Sequence, residues 1–505
     1  MKEWQIYPIR DLSGGMQMMV SPFLINKDEF KFIKNYSLEV LGQLRKITGY
    51  SQKGTAIDGA TSVAGGTPFY TTSLQKEVVA IDNSTSIDFY IYAPSTDTWT
   101  AQSQSLTTGS RVEFAQFLGG LFSTNYEDSP LYYDGSSWSD STNLTSAPQA
   151  KYVMPYYDRL YLINIQYSGN DHPSRVAMSS LPDDSYNITW DLSDTGNYFD
   201  ISPKDGDQLM GVGKNFNRLL LFKEESLWRY DTNSLYQFPG APGTNSHRSI
   251  VNVLDWTLYF HKSGVYGVNG ESVVKLSRSI QPIIDGVKSI NLSNICAYGK
   301  GDYYYLYLSD VENYEEDIKI DNCLVVLDVA NMRWSIEDLG HSPLAFWNYR
   351  DDRSNMTYDD SSYEYDYPLK TYNGLVSAED FIHFGDDAGN IYEFSSDQLQ
   401  FDSTDIISYF ETHNYYFSGL EGFGKLQAVN LYIENAKRIK LYYSIDDGPW
   451  KAIKKYEYKN DRIYLQFDNE IVANRIKFKG IDSSKGTRGI VRGFDIFYTS
   501  YNQIV

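Results

Sequence analysis

Between Thr61 and Gln400 the chain repeats one loose pattern: an apolar or aromatic run, a turn with Gly or Asp, a second run, then a closing Trp or Tyr. Phe89–Trp99, Leu131–Trp138 and Arg159–Ile165 with its closing Ile188–Asp191 are three instances. Arg218–Asp231 (RLLLFKEESLWRYD) is the clearest, and loss of Trp228 is expected to cost its blade about 3–5 kcal/mol if that ring is fully buried. Thr257–Val268, Tyr303–Leu308 with Cys323–Trp334, and Phe381–Phe394 complete the set. Short strands punctuated by turns and closed by an aromatic describe the blade of a β-propeller. The units recur at roughly 40–60 residues, which suits four-stranded blades with some long loops. The repeats are degenerate, so six to eight blades are expected. Two unrelated sandwiches would need longer and more even alternation than these strands show.

From Phe401 the pattern changes. Val429, Leu431 and Ile433 alternate with polar neighbours, and Ile439, Leu441 and Tyr443 do the same. Ile463–Phe467, Ile476–Phe478 and Phe494–Tyr498 continue the series. A period of two over five segments predicts a C-terminal antiparallel β-sandwich over 401–505.

Helical periodicity is nearly absent. The one candidate helix runs from Asn26, as N-cap with Glu29 at the capping-box position, to Asn35. A short strand between Gly42 and Gly49 follows. The organisation read from the pattern is all-β: an N-terminal arm over 1–60 with a short helix and a strand, a propeller over 61–400, and a sandwich platform over 401–505.

Composition refines this picture. The 505 residues are 42% hydrophobic and 15% aromatic, enough for large cores in aromatic-rich sheets. Net charge is −21 and uneven. Residues 401–505 hold 15 basic and 13 acidic residues, a balance of +2, while 1–400 hold 29 basic and 52 acidic, a balance of −23. Such a body repels phosphates, which argues against tight wrapping of nucleic acid and is compatible with passage of DNA past it without adhesion. The two cysteines, Cys296 and Cys323, make no disulfide framework and fit no zinc spacing. The N-terminal residues lack the apolar core of a signal peptide, and no run of about 18 apolar residues occurs, so membrane insertion is not expected.

The search for chemistry is negative: no zinc-protease, nucleophile-elbow, Walker A, Cys-x-x-Cys or EF-hand pattern occurs. Gly211-Val-Gly213 lacks a third glycine and reads as a strand-entry turn. None of the six histidines, at 172, 247, 261, 341, 383 and 413, lies within helical or alternate-strand reach of another, so only folding could assemble a ligand set; His261 and His383 read as core or rim residues of apolar strands. Ser444-Ile-Asp446-Asp-Gly448-Pro-Trp450 resembles the structural Asp-box hairpin of sialidase-type propellers, shortened by one residue. Asp351–Tyr367, dense in Asp, Glu and Tyr, reads as a solvated insertion, with a channel-gating or glycan-contacting loop as the alternatives. No catalytic, cofactor-binding or metal-ligating residue is nominated, and an enzyme is not expected.

Asp11-Leu-Ser-Gly14-Gly15-Met, then Ser21-Pro22, Asp28-Glu29 and Asn35, then Gly42-Gln-Leu-Arg45-Lys46-Ile-Thr-Gly49, resembles the opening of propeller-bearing virion proteins of tailed bacteriophages, of the tail-nozzle or tail-tip type. Gln17 stands where those proteins have Asn, and Arg45-Lys46 leads to Ile-Thr-Gly in place of the commoner Arg-Pro-Gly. The three glycines also suit tight turns with positive φ. The resemblance implies a structural protein of the virion tail, made in the host cytoplasm. Copies, six by expectation, would form a ring that contacts adaptor or portal-proximal proteins and tail fibres. The ring would retain the genome and then pass double-stranded DNA without binding it specifically. The alternatives are a receptor-binding or fibre-docking tail module and a propeller glycosidase acting on host surface glycans.

Overall fold

The computed structural model describes residues 4–21, 24–71, 75–140, 144–183, 187–232, 234–314, 317–351, 379–417, 423–436, 438–453, 455–458 and 462–501. Strands dominate them. The one α-helix among these residues is the five-residue Gln281–Asp285, beside a few 3-10 turns.

A β-propeller accounts for the middle of the chain. Six blades are antiparallel four-stranded sheets, each cut from one continuous stretch. They run from Ser62–Tyr70 to Thr98–Thr107, from Glu113–Phe117 to Trp138–Ser139, and from Gln149–Tyr156 to Tyr198–Asp200. The next three run from Leu209–Asn215 to Ser234–Gln237, from Val251–Val253 to Ser272–Lys275, and from Cys296–Lys300 to Arg333–Asp338. A seventh radial sheet is composite. Pro343–Asp351, Glu379–Asp386 and Ile391–Phe394 take their fourth strand, Tyr50–Gln52, from the N-terminal region. The ring closes where Ala345 and Trp347 of this sheet pack on Val63 and Val79 of the first blade.

Each seam between blades has its own apolar core, because a sheet buried on both faces needs a neighbour on each side. Phe122 of the second blade meets Val153 and Leu162 of the third, and Tyr156 and Ile163 of the third meet Val212 and Leu221 of the fourth. Trp228 lies on the third strand of the fourth blade and remains half-buried.

The C-terminal residues form the expected sandwich. One sheet holds Phe423–Glu434, Arg462–Ala473 and Ile490–Tyr501; the other holds Ser408–Thr412, Arg475–Asp482 and Ile439–Ile445. Val429, Leu431, Ile463, Leu465, Ile476, Phe478, Phe494 and Ile496 are all buried between them, as their alternation predicts.

The N-terminal residues are woven through both units. Gln5–Ile9 and Leu44–Lys46 pair with the last strand, Ile490–Tyr501, inside the sandwich. The helix expected over Asn26–Asn35 is instead a turn and a strand, Phe30–Lys34. The local signal is partly real: the Glu29 carboxylate accepts the Asn26 N–H at 2.8 Å. Tertiary pairing overrides its continuation, since Phe30–Lys34 lies antiparallel to Ser408–Thr412 and meets the sixth blade at Ile336. This strand makes one ten-stranded sheet of the sixth blade and half of the sandwich. Phe401 pairs with Tyr50 and so belongs to the seventh sheet, which puts the sandwich boundary near Ser408.

Two glycines serve a different purpose from the one expected. Gly15 has φ +76°, but at Gly14 and Gly49 the constraint is close approach. A Cβ on Gly49 would come within 1.7 Å of the Gln400 carbonyl oxygen.

Candidate functional site

The first strands of the blades converge on the propeller axis, where they surround a cavity of about 270 Å³. Thr67, Glu113, Phe114, Ala297, Ala345 and Phe346 line it, together with His247 and Arg248. The last two sit on a 3-10 turn, His247–Ser249, that leads into the fifth blade. Serines hold that turn in place: Ser249 Oγ donates to the Ser246 carbonyl at 2.7 Å and accepts the Phe260 N–H at 3.0 Å, and Ser246 Oγ donates to the Ile295 carbonyl at 2.5 Å.

Arg248 spans the axis. Its Nε donates to Glu113 Oε1 at 2.9 Å, Nη1 to the Leu344 carbonyl at 2.8 Å, and Nη2 to the carbonyls of Ala64 at 2.6 Å and Val112 at 3.0 Å. One guanidinium therefore fastens the first, second and seventh blades to the fifth. Its planar fork of donors suits this task in a way a lysine ammonium does not. Burial alone would raise the Glu113 carboxyl, but Arg248, His247 and Arg111 outweigh it and hold it below the ordinary range. Burial also pushes Arg111 down to about 10, with the Arg248 charge adding to the effect, and it lowers His247.

A second polar cluster lies off the axis, at the seam between the seventh and first blades. His383 and Glu77 are wholly buried there. Glu77 Oε1 lies 2.5 Å from His383 Nδ1 and accepts Trp347 Nε1–H at 2.8 Å, while Glu393 Oε2 lies 3.0 Å from His383 Nε2. Lys53, next to the closing strand, is ion-paired with Glu393. Burial favours neutral imidazole, but Glu77 and Glu393 outweigh it and raise His383. Burial likewise opposes the Glu393 charge, yet His383 and Lys53 bring its carboxyl down to about 2.

Neither cluster contains a nucleophile beside a free base, and the donors of Arg248 end on structural acceptors. The arrangement ties blades together. Among the described residues no group of three or more His, Cys, Asp or Glu could hold a metal ion.

His261 is buried in the fifth blade, with Nδ1 2.7 Å from Ser263 Oγ, and His413 Nε2 lies 2.8 Å from the Gln17 carbonyl oxygen. His172 is on the third blade, and His341 lies 3.4 Å from Asp386. Gly211 and Gly213 lie within the strand Leu209–Asn215 and not in a turn at its entry; a Cβ on Gly211 would strike Ile250 at 2.7 Å. The 444–450 segment is a hairpin turn, with Asp446 and Asp447 at positive φ and Ser444 Oγ donating to the Gly448 carbonyl at 2.6 Å. Of the insertion read over 351–367, residues 352–367 lie outside the described residues. Sequence reasoning missed Arg248 and Glu77. Glu77 had a faint signal, a carboxylate opening the apolar run Val78–Ile81; Arg248 had none, since its partners, the Glu113 carboxylate and three backbone carbonyls, lie far away in the chain.

No family model matches the chain, and no curated protein matches it. A crystal structure of BamB from Moraxella catarrhalis is similar in fold, at 6% identity and a TM-score of 0.37, with 77% of this chain and 98% of that one covered.

Proposed function

We propose that this chain is a structural protein of a bacteriophage tail, copies of which ring a channel that retains the packaged genome and later passes it. The observation that carries this reading is the use of the axial polar groups: Arg248 and Glu113, which would line an active site in a propeller enzyme, are bonded to each other and to three blades. Such an axis favours a scaffold, and a passage for duplex DNA would lie between copies. The balance of −23 over residues 1–400 supports a lumen to which phosphates do not adhere. The near-neutral sandwich, joined to the sixth blade through Phe30–Lys34, suits a platform for adaptor proteins and fibres.

Reconstruction of virions that carry this chain, before and after DNA release, tests the proposal. A closed ring of copies around the tail axis, six by expectation, is the supporting result. Absence of the chain from the tail ends it. Release of sugar from a host glycan panel by the purified protein would favour the glycosidase reading instead.

A further inference from the structure

The outer face of one sandwich sheet differs from the rest of the molecule in charge. Strand Arg475–Asp482 buries Ile476 and Phe478 and turns Arg475, Lys477 and Lys479 outward. Register sets Lys479 beside Tyr442 on one neighbouring strand and Glu411 on the other. Trp450, carried by the 444–450 hairpin turn, lies against this row: Lys477 Nζ is 5.2 Å and Lys479 Nζ 4.8 Å from its ring centre. Lys479 is also 5.6 Å from the Tyr442 ring and 5.9 Å from that of Tyr409. Lys440 adds an exposed cation. Asp447 on the same turn pairs with Arg475 and lies 3.8 Å from Lys477, so the excess positive charge of this aromatic sheet face comes from Lys477, Lys479 and Lys440 together, on a chain of net charge −21.

The complementary surface is on the same chain but across the ring. The second and third blades, residues 113–200, hold 3 basic and 12 acidic residues, a balance of −9. Glu127, Asp134, Asp171, Asp183, Asp191 and Asp194 are all exposed. In a ring of seven sheets these blades stand farthest from the sixth, the blade to which the sandwich is joined. The two surfaces therefore cannot neutralise one another within one copy. Aromatic rings beside cations are well suited to an interface, since they add buried apolar area to charge complementarity.

We infer that the Lys477–Lys479–Trp450 face docks on the acidic second and third blades of a second copy of this chain. The contact is head-to-tail, and a head-to-tail contact generates a ring when its rotation closes. This inference deepens the ring reading above and rests on it for the closure.

Mass photometry of the purified full chain tests it in 50 mM and 500 mM NaCl. Oligomers at low salt that dissociate to monomers at high salt are expected. The double charge reversal K477E/K479E should leave monomers at both salts, as should D191K/D194K. Mixing the two variants should restore assembly, because each supplies the surface the other now matches; a misfolded variant could not do this. A wild-type chain that stays monomeric at low salt overturns the inference, as does assembly unaffected by either reversal. So does a monomer that binds a fluorescent duplex oligonucleotide through Lys477 and Lys479, which would make the face a nucleic-acid contact. The tail reading stands or falls separately, on the particle reconstruction.

Discussion

Glu77 and His383 meet at 2.5 Å across the seam that closes the propeller, both with no exposed side-chain surface. They are 306 residues apart in sequence, and Glu393 occupies the other ring nitrogen of His383. The last seam of the ring thus holds a buried histidine between two carboxyl groups, in addition to the apolar packing found at every seam.

That arrangement makes stability depend on pH. The folded value of His383 is raised above its ordinary 6.5, so its contribution is complete below about pH 6.5 and is lost as pH rises through the folded value. Glu337 acts in the same direction. Burial, with the Glu39 charge next, raises its carboxyl from 4.5 to about 8, so the folded chain keeps a proton that the unfolded chain releases. Stability should fall between about pH 4.5 and 8 on that account. Burial lowers His247, His261 and His413, whose contributions run the other way below about pH 6.5, so melting temperatures should decline from about pH 6.5 to pH 9. Glu337→Gln should flatten the lower part of the decline and His383→Gln the upper part; a flat wild-type profile would refute both assignments.

Arg248→Ala should be among the most damaging single changes. It removes the axial donors and leaves Glu113 buried without its main partner, a loss of about 3–5 kcal/mol for a broken buried pair. Arg248→Lys keeps the charge but not the fork of donors and should recover only part of this. Urea denaturation of the two variants measures the difference.

Trp228 and Trp334, two of the tryptophans of the strand repeats, should behave differently. Full burial, the condition for the larger cost at Trp228, is not met: the ring is half-buried, with Nε1 donating to Ser226 Oγ at 3.0 Å. Trp228→Ala should then cost about 1–2 kcal/mol, because part of the ring already contacts water. Trp334, at 1% exposure, packs in the core shared by the fifth and sixth blades, and its alanine variant should cost about 3–5 kcal/mol. Equal effects in thermal melts would contradict this ordering.

The closing strand offers a further test. Tyr50 is buried among Phe384, Tyr392, Phe394 and Phe401, and its hydroxyl donates to the Leu339 carbonyl. Gly49→Ala would push a methyl group into the Gln400 carbonyl oxygen and displace this strand, at a cost of about 1–3 kcal/mol or more. Limited proteolysis should then cut the seventh sheet before the other blades. Uniform resistance would show that the strand does not close the ring.

The sequence alone determined the all-β class, the propeller followed by a sandwich, and which face of each sandwich strand is buried. All three follow from periodicity, which is a local property of a pleated chain. Val429, Leu431 and Ile433 could be assigned to the core before any partner was known. Tertiary structure alone decided what the N-terminal residues do. Asn26 and Glu29 carry a helix-start signal, and only the pairing of Phe30–Lys34 with strands some 300 to 380 residues away turns them into a strand junction. The same applies to Arg248 and to Glu77 with His383. Their partners are backbone carbonyls and side chains brought together by closure of the ring, and no spacing along the chain encodes a contact whose distance is set by the curvature of seven sheets.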